Sequence, residues 1–439
     1  MTVREKFLPS RVPLCTISSG TFLENGEQMT INKATRSRRR GSAVVLVTIA
    51  VVLLSLVGVG LLQAGLGSRL LAIKTVRKIK ACSAADAGLT MAIYEMNEKL
   101  NNKPWDNGSL PEATDSPLPC CDGLYSYTVA GDLGNGYTIT CIGESGKAKR
   151  TVNTTIELRG LFDNAILTKA NLILKSGTLI DGYNSRDPLD KNTDADIATQ
   201  STADSSITLN SGVVVNGDVK VGLGGNPDTA IKDLGATIAG SKYGAPQNDP
   251  LPQITAPDGL FYMGTSIAAK GSTVTISPAD NGTYTGIDLK STGQPAVLEI
   301  DGGAVELHIT GDIELGESCQ IIVKDGSSLT LYADGDIHCR QGSGINVENP
   351  AKEAEILKLY ATGQDAQSID IKANSEWIGV IYAPNADVAL YANGDVYGSV
   401  TANNFEFKAG GHYHYDNALK KVTIDDEGVR FVIKRWKEQ

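Results

Sequence analysis

The chain has 439 residues and a formal net charge of −10, from 40 basic and 50 acidic side chains. That acidic balance argues against a nucleic-acid-binding surface, which needs a basic face. Its 47 glycines, 7 phenylalanines and 7 cysteines fit a body of short strands and turns. The cysteines are too few for a disulfide scaffold in a chain this long, but a few bridges outside the cytoplasm fit.

Residues 1–41 are polar and lack periodicity, and are read as a leader. Met29 offers a second start, and initiation there would leave Cys15 out of the protein. Arg36, Arg38, Arg39 and Arg40 lead into Gly41, and an apolar run from Ala43 to Leu62 follows, broken only by Thr48 and Ser55. A run of about twenty apolar residues matches the hydrocarbon thickness of a bilayer. It is too long for a secretory signal peptide. It flows into Leu66, Leu70, Ile73, Val76 and Ile79 at helical spacing. No proline lies between Pro13 and Pro104, so one helix is predicted over 42–103, about 90 Å long. Its distal half has an apolar stripe that needs a partner. Gly58, Gly60, Ala64, Gly65 and Gly67 would let helices approach closely. Cations flank both ends of the run, so the positive-inside rule is nearly balanced. The arginine cluster abutting the run sets the N-terminus as cytoplasmic.

The order of the arginines, Gly41, Ser42, a long helix and then Ala84-Ala85-Asp86-Ala87-Gly88-Leu89 resembles the N-terminal module of PilX-type type IV pilus assembly proteins, which are minor pilin-like. The resemblance covers roughly residues 38–100. It implies cleavage between Gly41 and Ser42 by a prepilin peptidase. It also implies a single-pass position in a bacterial inner membrane, with other pilin-like subunits as partners and the body periplasmic or on the cell surface in a pilus. Leu46 stands where pilins usually carry a glutamate.

Residues 104–160 open with a proline-containing loop. Three alternating runs follow, Leu124 to Ala130, Tyr137 to Ile142 and Arg150 to Leu158, and read as a small antiparallel meander. Cys141 is a candidate to bridge Cys120 or Cys121. From 161 to 419 short strands alternate with Gly-Asp turns. Gly-Asp-Val or Gly-Asp-Ile recurs at Gly217, Gly311, Gly335 and Gly394. Strand-turn units of about 20 to 25 residues predict a right-handed parallel β-solenoid, with a β-sandwich as the alternative. The expected fold class is therefore α+β: a long pilin-like helix, a small antiparallel sheet and a mainly-β solenoid. Asp181-Gly-Tyr-Asn-Ser, Gly379-Val-Ile-Tyr-Ala-Pro-Asn-Ala and His414-Tyr-Asp-Asn-Ala-Leu resemble an uncharacterised domain found behind PilX-type N-termini, which implies an extracytoplasmic β-helical module. Residues 420–439 read as a terminal strand or hairpin.

Chemistry is sparse. His412, His414 and Asp416 share one strand face by period-two alternation and offer a zinc-like donor set; the competing reading is a cluster that caps the last coil. Asp190, Asn192, Asp194 and Asp196 alternate like a calcium loop but lack its glycine and terminal glutamate, and read as a solvated loop. Cys319 and Cys339 lie about one coil apart and are candidates for a bridge. No nucleophile elbow, phosphate loop or Cys-x-x-Cys pair is present. No catalytic, cofactor-binding or metal residue is assigned, and no cofactor is expected. Two function classes remain. One is a minor pilin-like subunit of a type IV pilus or related secretion filament, serving assembly or the tip, whose head meets a surface glycan or protein ligand. The other is a membrane-anchored solenoid carbohydrate-active enzyme.

Overall fold

The computed structural model describes residues 42–438, apart from 120, 188, 247–250, 365, 374–375, 393 and 409. The leader, Met29 and Gly41 lie outside the described residues. The chain divides into two units, 1–73 and 74–439. The described part of the first is helical, belonging to the helix Ser42–Leu100.

In the second unit the same helix buries one stripe. Ala81, Ala84, Ala85, Leu89, Ala92, Met96 and Leu100 are all buried, at the three- and four-residue spacing of a single helix face. They meet a five-stranded antiparallel sheet. Leu124–Asp132, Gly136–Ser145 and Ala148–Arg159 pair in order, with Glu112–Pro117 on one edge. On the other edge lies Arg430–Glu438, from the far end of the chain. The first part of the stripe, Ala81, Ala84 and Ala85, is made of small residues because the sheet comes very close there. A Cβ on Gly143 would sit 2.1 Å from the Ala81 carbonyl oxygen, and one on Gly88 would sit 2.5 Å from the Cys141 sulfur.

The rest of the unit is a stack of parallel strands. One apolar rung sequence runs Leu307, Leu331, Leu359, Ile381, Val400, Ile166, Ile197, Val219, each the register partner of the next. A second runs Ile287, Ile313, Ile337, Ile369, Val388, Phe405, Leu172, Ile207, Ile231. Every member of both is buried in one core. Val274, Leu298, Ile321 and Ile345 form a shorter ladder in a separate four-stranded sheet. The antiparallel pairing expected of a β-sandwich is confined, among the named strands of this body, to Leu179–Tyr183 with Lys191–Thr193.

The numbering along these ladders reveals an order that the repeats did not. The chain enters mid-stack at Ile166–Thr168 and builds rungs outward to Lys242–Gly244. Residues 251–266 then connect to the second run, with Ile254 buried in the core: Tyr382 donates to the Pro252 carbonyl at 2.6 Å and the Met263 N–H donates to the Thr283 carbonyl. A second run starts at Ile267–Lys270 and stacks back toward the first. The two runs meet where Val396–Phe407 and His412–Asp416 pair with Ile166–Thr168, Leu172–Leu174 and Leu179–Tyr183.

The recurring Gly-Asp phrase acquires a reason here. A Cβ on Gly335 would lie 2.5 Å from the Gly311 backbone, so the corner admits only glycine. The aspartate that follows accepts a backbone N–H from the next rung. Asp312 takes Asp336 N at 3.0 Å, 24 positions on. Asp336 takes Ser368 N, and Asp218 takes Ser241 N, each at 2.8 Å. These bonds satisfy backbone groups where the ladder turns.

Candidate functional site

Two regions carry features beyond packing. The first is the apolar helix segment. Its side chains from Val44 to Ile79 are exposed, Leu46 being 66% accessible. The polar interruptions are satisfied within the helix. Thr48 Oγ1 donates to the Val45 carbonyl at 2.9 Å and Ser55 Oγ to the Val51 carbonyl at 2.7 Å, the standard way for hydroxyls to sit in an apolar helix. This is a helix long and apolar enough to cross a membrane.

The second region lies at the junction of the two runs. His414 stands between Tyr397 of the preceding strand and Asp181 of the first run, as register partner of both. Its Nδ1 meets the carboxylate of Asp181, which is buried. The Tyr397 ring stacks on it at 4.8 Å and 27°, with Tyr183 edge-on. His414 Nε2 faces Asp395 Oδ2 at 3.7 Å, and His412 Nδ1 faces Asp395 Oδ1 at 3.5 Å. Donor atoms of Asp395, His412 and His414 all lie within 4.8 Å of one another. Burial disfavours the charged form of His414, yet Asp181 and Asp395 outweigh it and raise its pKa above the ordinary histidine value.

The third residue expected in this cluster is placed elsewhere. Asp416 is buried and caps the turn Asn417–Lys420, accepting Ala418 N and Ser185 N at 3.0 Å each. Asp395 takes its place beside the histidines; the sequence marks it only as one more Gly-Asp repeat. In the calcium-like stretch, Asp190 accepts from Asn184, while Asp196 pairs with Lys220 at 2.6 Å, so these two carboxylates are committed to different partners.

Cys319 and Cys339 are both buried free thiols. The register explains why the spacing misled. Cys339 is the rung partner of Leu315, while Cys319 directly precedes Gln320, the partner of Gly344. A coil of 24 positions puts cysteines 339 and 319 at different points of the turn. Cys141 is also free. It points at the helix, with its sulfur 3.0 Å from the Ala85 carbonyl, and burial pushes its pKa up to about 11. Cys120 lies outside the described residues.

An open groove of about 770 Å³ runs along the second run, lined by Asp288, Lys290, Glu314, Glu317 and Arg340 among others. Its charges are mixed, and Asp288 is ion-paired with Lys290.

Residues 254–422, under half of the chain, match a family described as "Domain of unknown function (DUF7305)". That span takes in most of the connection and the whole second run. No curated protein matches the chain. Among solved structures it is similar to the competence-associated pilin ComZ from Thermus thermophilus, at 14% identity over 83% of this chain and 97% of that one. The TM-score is 0.27, too low to carry fold or function across.

Proposed function

We infer that the chain is a membrane-anchored, minor pilin-like subunit serving assembly or the tip of a type IV pilus or related secretion filament. The observation that carries this reading is the construction of one helix. Its first part is apolar and exposed over a bilayer's length, and begins beside Gly41. Its last part presents Ala81, Ala84, Ala85 and Gly88 to an antiparallel sheet. The same segment carries the sequence resemblance to PilX-type proteins. Prepilin peptidase would cut between Gly41 and Ser42, leaving the apolar helix to hold the subunit in the inner membrane and to pack with other pilin-like subunits. Leu46, in place of a carboxylate, favours assembly or tip use over repeated use in a shaft. The body is read as a right-handed β-solenoid, supported by the in-register parallel rungs. Exported, it would present its outer faces to a surface glycan or protein ligand.

The test is intact-mass analysis of protein extracted from membranes of peptidase-positive cells. The expected mature chain begins at Ser42, and cells lacking the gene should assemble fewer filaments. A mature form that keeps Arg38–Arg40 overturns the reading.

A further inference from the structure

We propose that Asp395, His412 and His414 bind one zinc-class divalent ion at the junction of the two runs, with Asp181 positioning His414. The donor set is two imidazoles and a carboxylate, which suits zinc and its neighbours and not calcium or magnesium, whose sites are built from oxygen. The spacing fits. A tetrahedral zinc with bonds of about 2.0–2.1 Å holds its ligand atoms roughly 3.4 Å apart. Asp395 Oδ1 stands 3.5 Å from His412 Nδ1 and Asp395 Oδ2 stands 3.7 Å from His414 Nε2; the donor atoms of all three residues lie within 4.8 Å of one another, so rotation of the accessible His412 and Asp395 side chains draws the set in around an ion.

Three further observations point the same way. First, the Asp181 carboxylate engages Nδ1 of His414. That leaves Nε2 as the nitrogen that faces Asp395, in the carboxylate–imidazole arrangement that orients metal-binding histidines once the ion takes the place of the Nε2 proton. Second, the ring is held by Tyr397 stacked on its face, so its direction does not have to be frozen on binding. Third, Asp395 breaks the habit of its series. Asp218, Asp312 and Asp336 each accept a backbone N–H from the next rung. At the corresponding corner the Asp395 carboxylate faces two imidazoles instead. His412 and Asp395 are accessible to solvent, at 55% and 39% of their side-chain surface, so an ion can enter and keep a fourth position for water or a donor from another molecule.

The location gives such an ion a role. Asp395, His412 and His414 belong to the end of the second run, and Asp181 to the start of the first. An ion held here, through His414 and its Asp181 contact, ties together strands more than two hundred positions apart in the chain.

The test uses the full chain, purified in detergent without a histidine tag and stripped with a chelator. Titration with zinc chloride alone is followed by calorimetry and by metal content after dialysis. One zinc per chain is expected, with a thermal midpoint that rises with zinc concentration, as for any ligand of the native state. Cobalt should give the visible absorption of a tetrahedral site. His412→Ala, at an exposed position, should fold as the parent does and lose zinc binding. Asp395→Asn should weaken it, and Asp181→Asn should weaken it about 10- to 100-fold, the usual effect of removing a positioning carboxylate. His338→Ala, on a different face, should bind as the parent does. A parent protein that takes up no zinc, zinc binding unchanged in His412→Ala, or calcium binding as tight as zinc would each overturn the proposal.

Discussion

The parallel stack and the helix-backed sheet solve the same problem with different partners. Strands such as Ser328–Ala333 and Gly136–Ser145 bury alternate side chains, and that face must be covered. In the stack the cover is the body's own repetition: Leu331 lies between Leu307 and Leu359, and each rung's neighbours are rungs of the same kind. In the sheet the cover is a foreign element, a helix face of Ala85, Leu89, Ala92 and Met96 over Tyr127, Ile139 and Cys141. Glycine marks both contacts, but differently. Gly335 faces the backbone of another glycine corner, whereas Gly143 faces the helix backbone. Damage should therefore spread along the axis in the stack, where units interact with nearest neighbours, and across a single interface in the sheet.

Leu331→Ala tests this most forcefully. Leu331 is fully buried, and truncating such a leucine costs about 2–5 kcal/mol, the transfer term plus the cavity left behind. Hydrogen exchange on the full chain should show lost protection in the strands Ala304–Ile309, Ser328–Ala333 and Leu357–Ala361. The sheet carrying Gly136–Ser145 should keep its protection. Uniform loss over both regions would mean that they unfold as one unit and would erase the distinction.

Gly143→Ala is the complementary lesion, expected to cost about 1–3 kcal/mol by overpacking. The added methyl would meet the Ala81 oxygen and the Ala85 nitrogen at 2.1 and 2.4 Å. Both are backbone atoms that no rotamer change can move. Exchange should rise in helix residues 81–100 and in Gly136–Ser145, while the rungs around Leu331 stay protected. An unaffected helix would mean that the close approach at Gly143 is not needed to hold the two together.

The contrast also explains what the sequence could and could not reveal. Alternation and turn residues locate Leu124–Asp132, Gly136–Ser145 and Ala148–Arg159, because local signals decide local strands. The partner of Arg430–Glu438 is not local: its pairing with Ala148–Arg159 depends on the whole body returning the chain to the sheet. The Gly-Asp phrases were legible as repeats because each corner faces the same constraint. Their stacking order was not, since nothing in a rung's composition says that Val400 sits on Ile166 rather than on a later rung. The histidine cluster failed in sequence for the same reason. Period-two alternation put Asp416 beside His414, but the strand ends there and Asp416 turns to cap Ala418. Asp395 and Asp181 reach the histidines through rung register, a relation set by coil length and by the junction of two distant segments.

The smallest expected effect concerns the open end of the first run. Among the described residues, Ile231–Asp233 is a terminal rung, paired with Ile207–Leu209 on one side. An unpaired strand edge invites association, and charges such as Lys232 and Asp233 discourage it. Asp233 also shapes the turn. One carboxylate oxygen accepts the N–H groups of Ala236 and Gly235 at 2.8 and 3.0 Å, and the other meets Lys242 at 2.9 Å. The Ala236 bond first, and then Lys242, lowers its pKa below the ordinary aspartate value against the opposing effect of burial. A lowered folded-state value means that the unfolded chain binds the proton more readily. The stabilisation is therefore fully present above the unfolded pKa, near pH 4, and is lost as pH falls through and below that value. In Asp233→Asn the side-chain oxygen can still accept from the turn, but the charge is gone. The difference in stability between parent and variant should thus be level near neutrality and shrink below about pH 4. Its size should stay under about 1 kcal/mol, as for exposed ion pairs. Denaturant titrations of the two proteins across that range, at low salt, measure it directly. A difference that is flat through pH 4 would show that this end is held by the turn's hydrogen bonds alone, and one that grows on acidification would contradict a lowered Asp233 pKa.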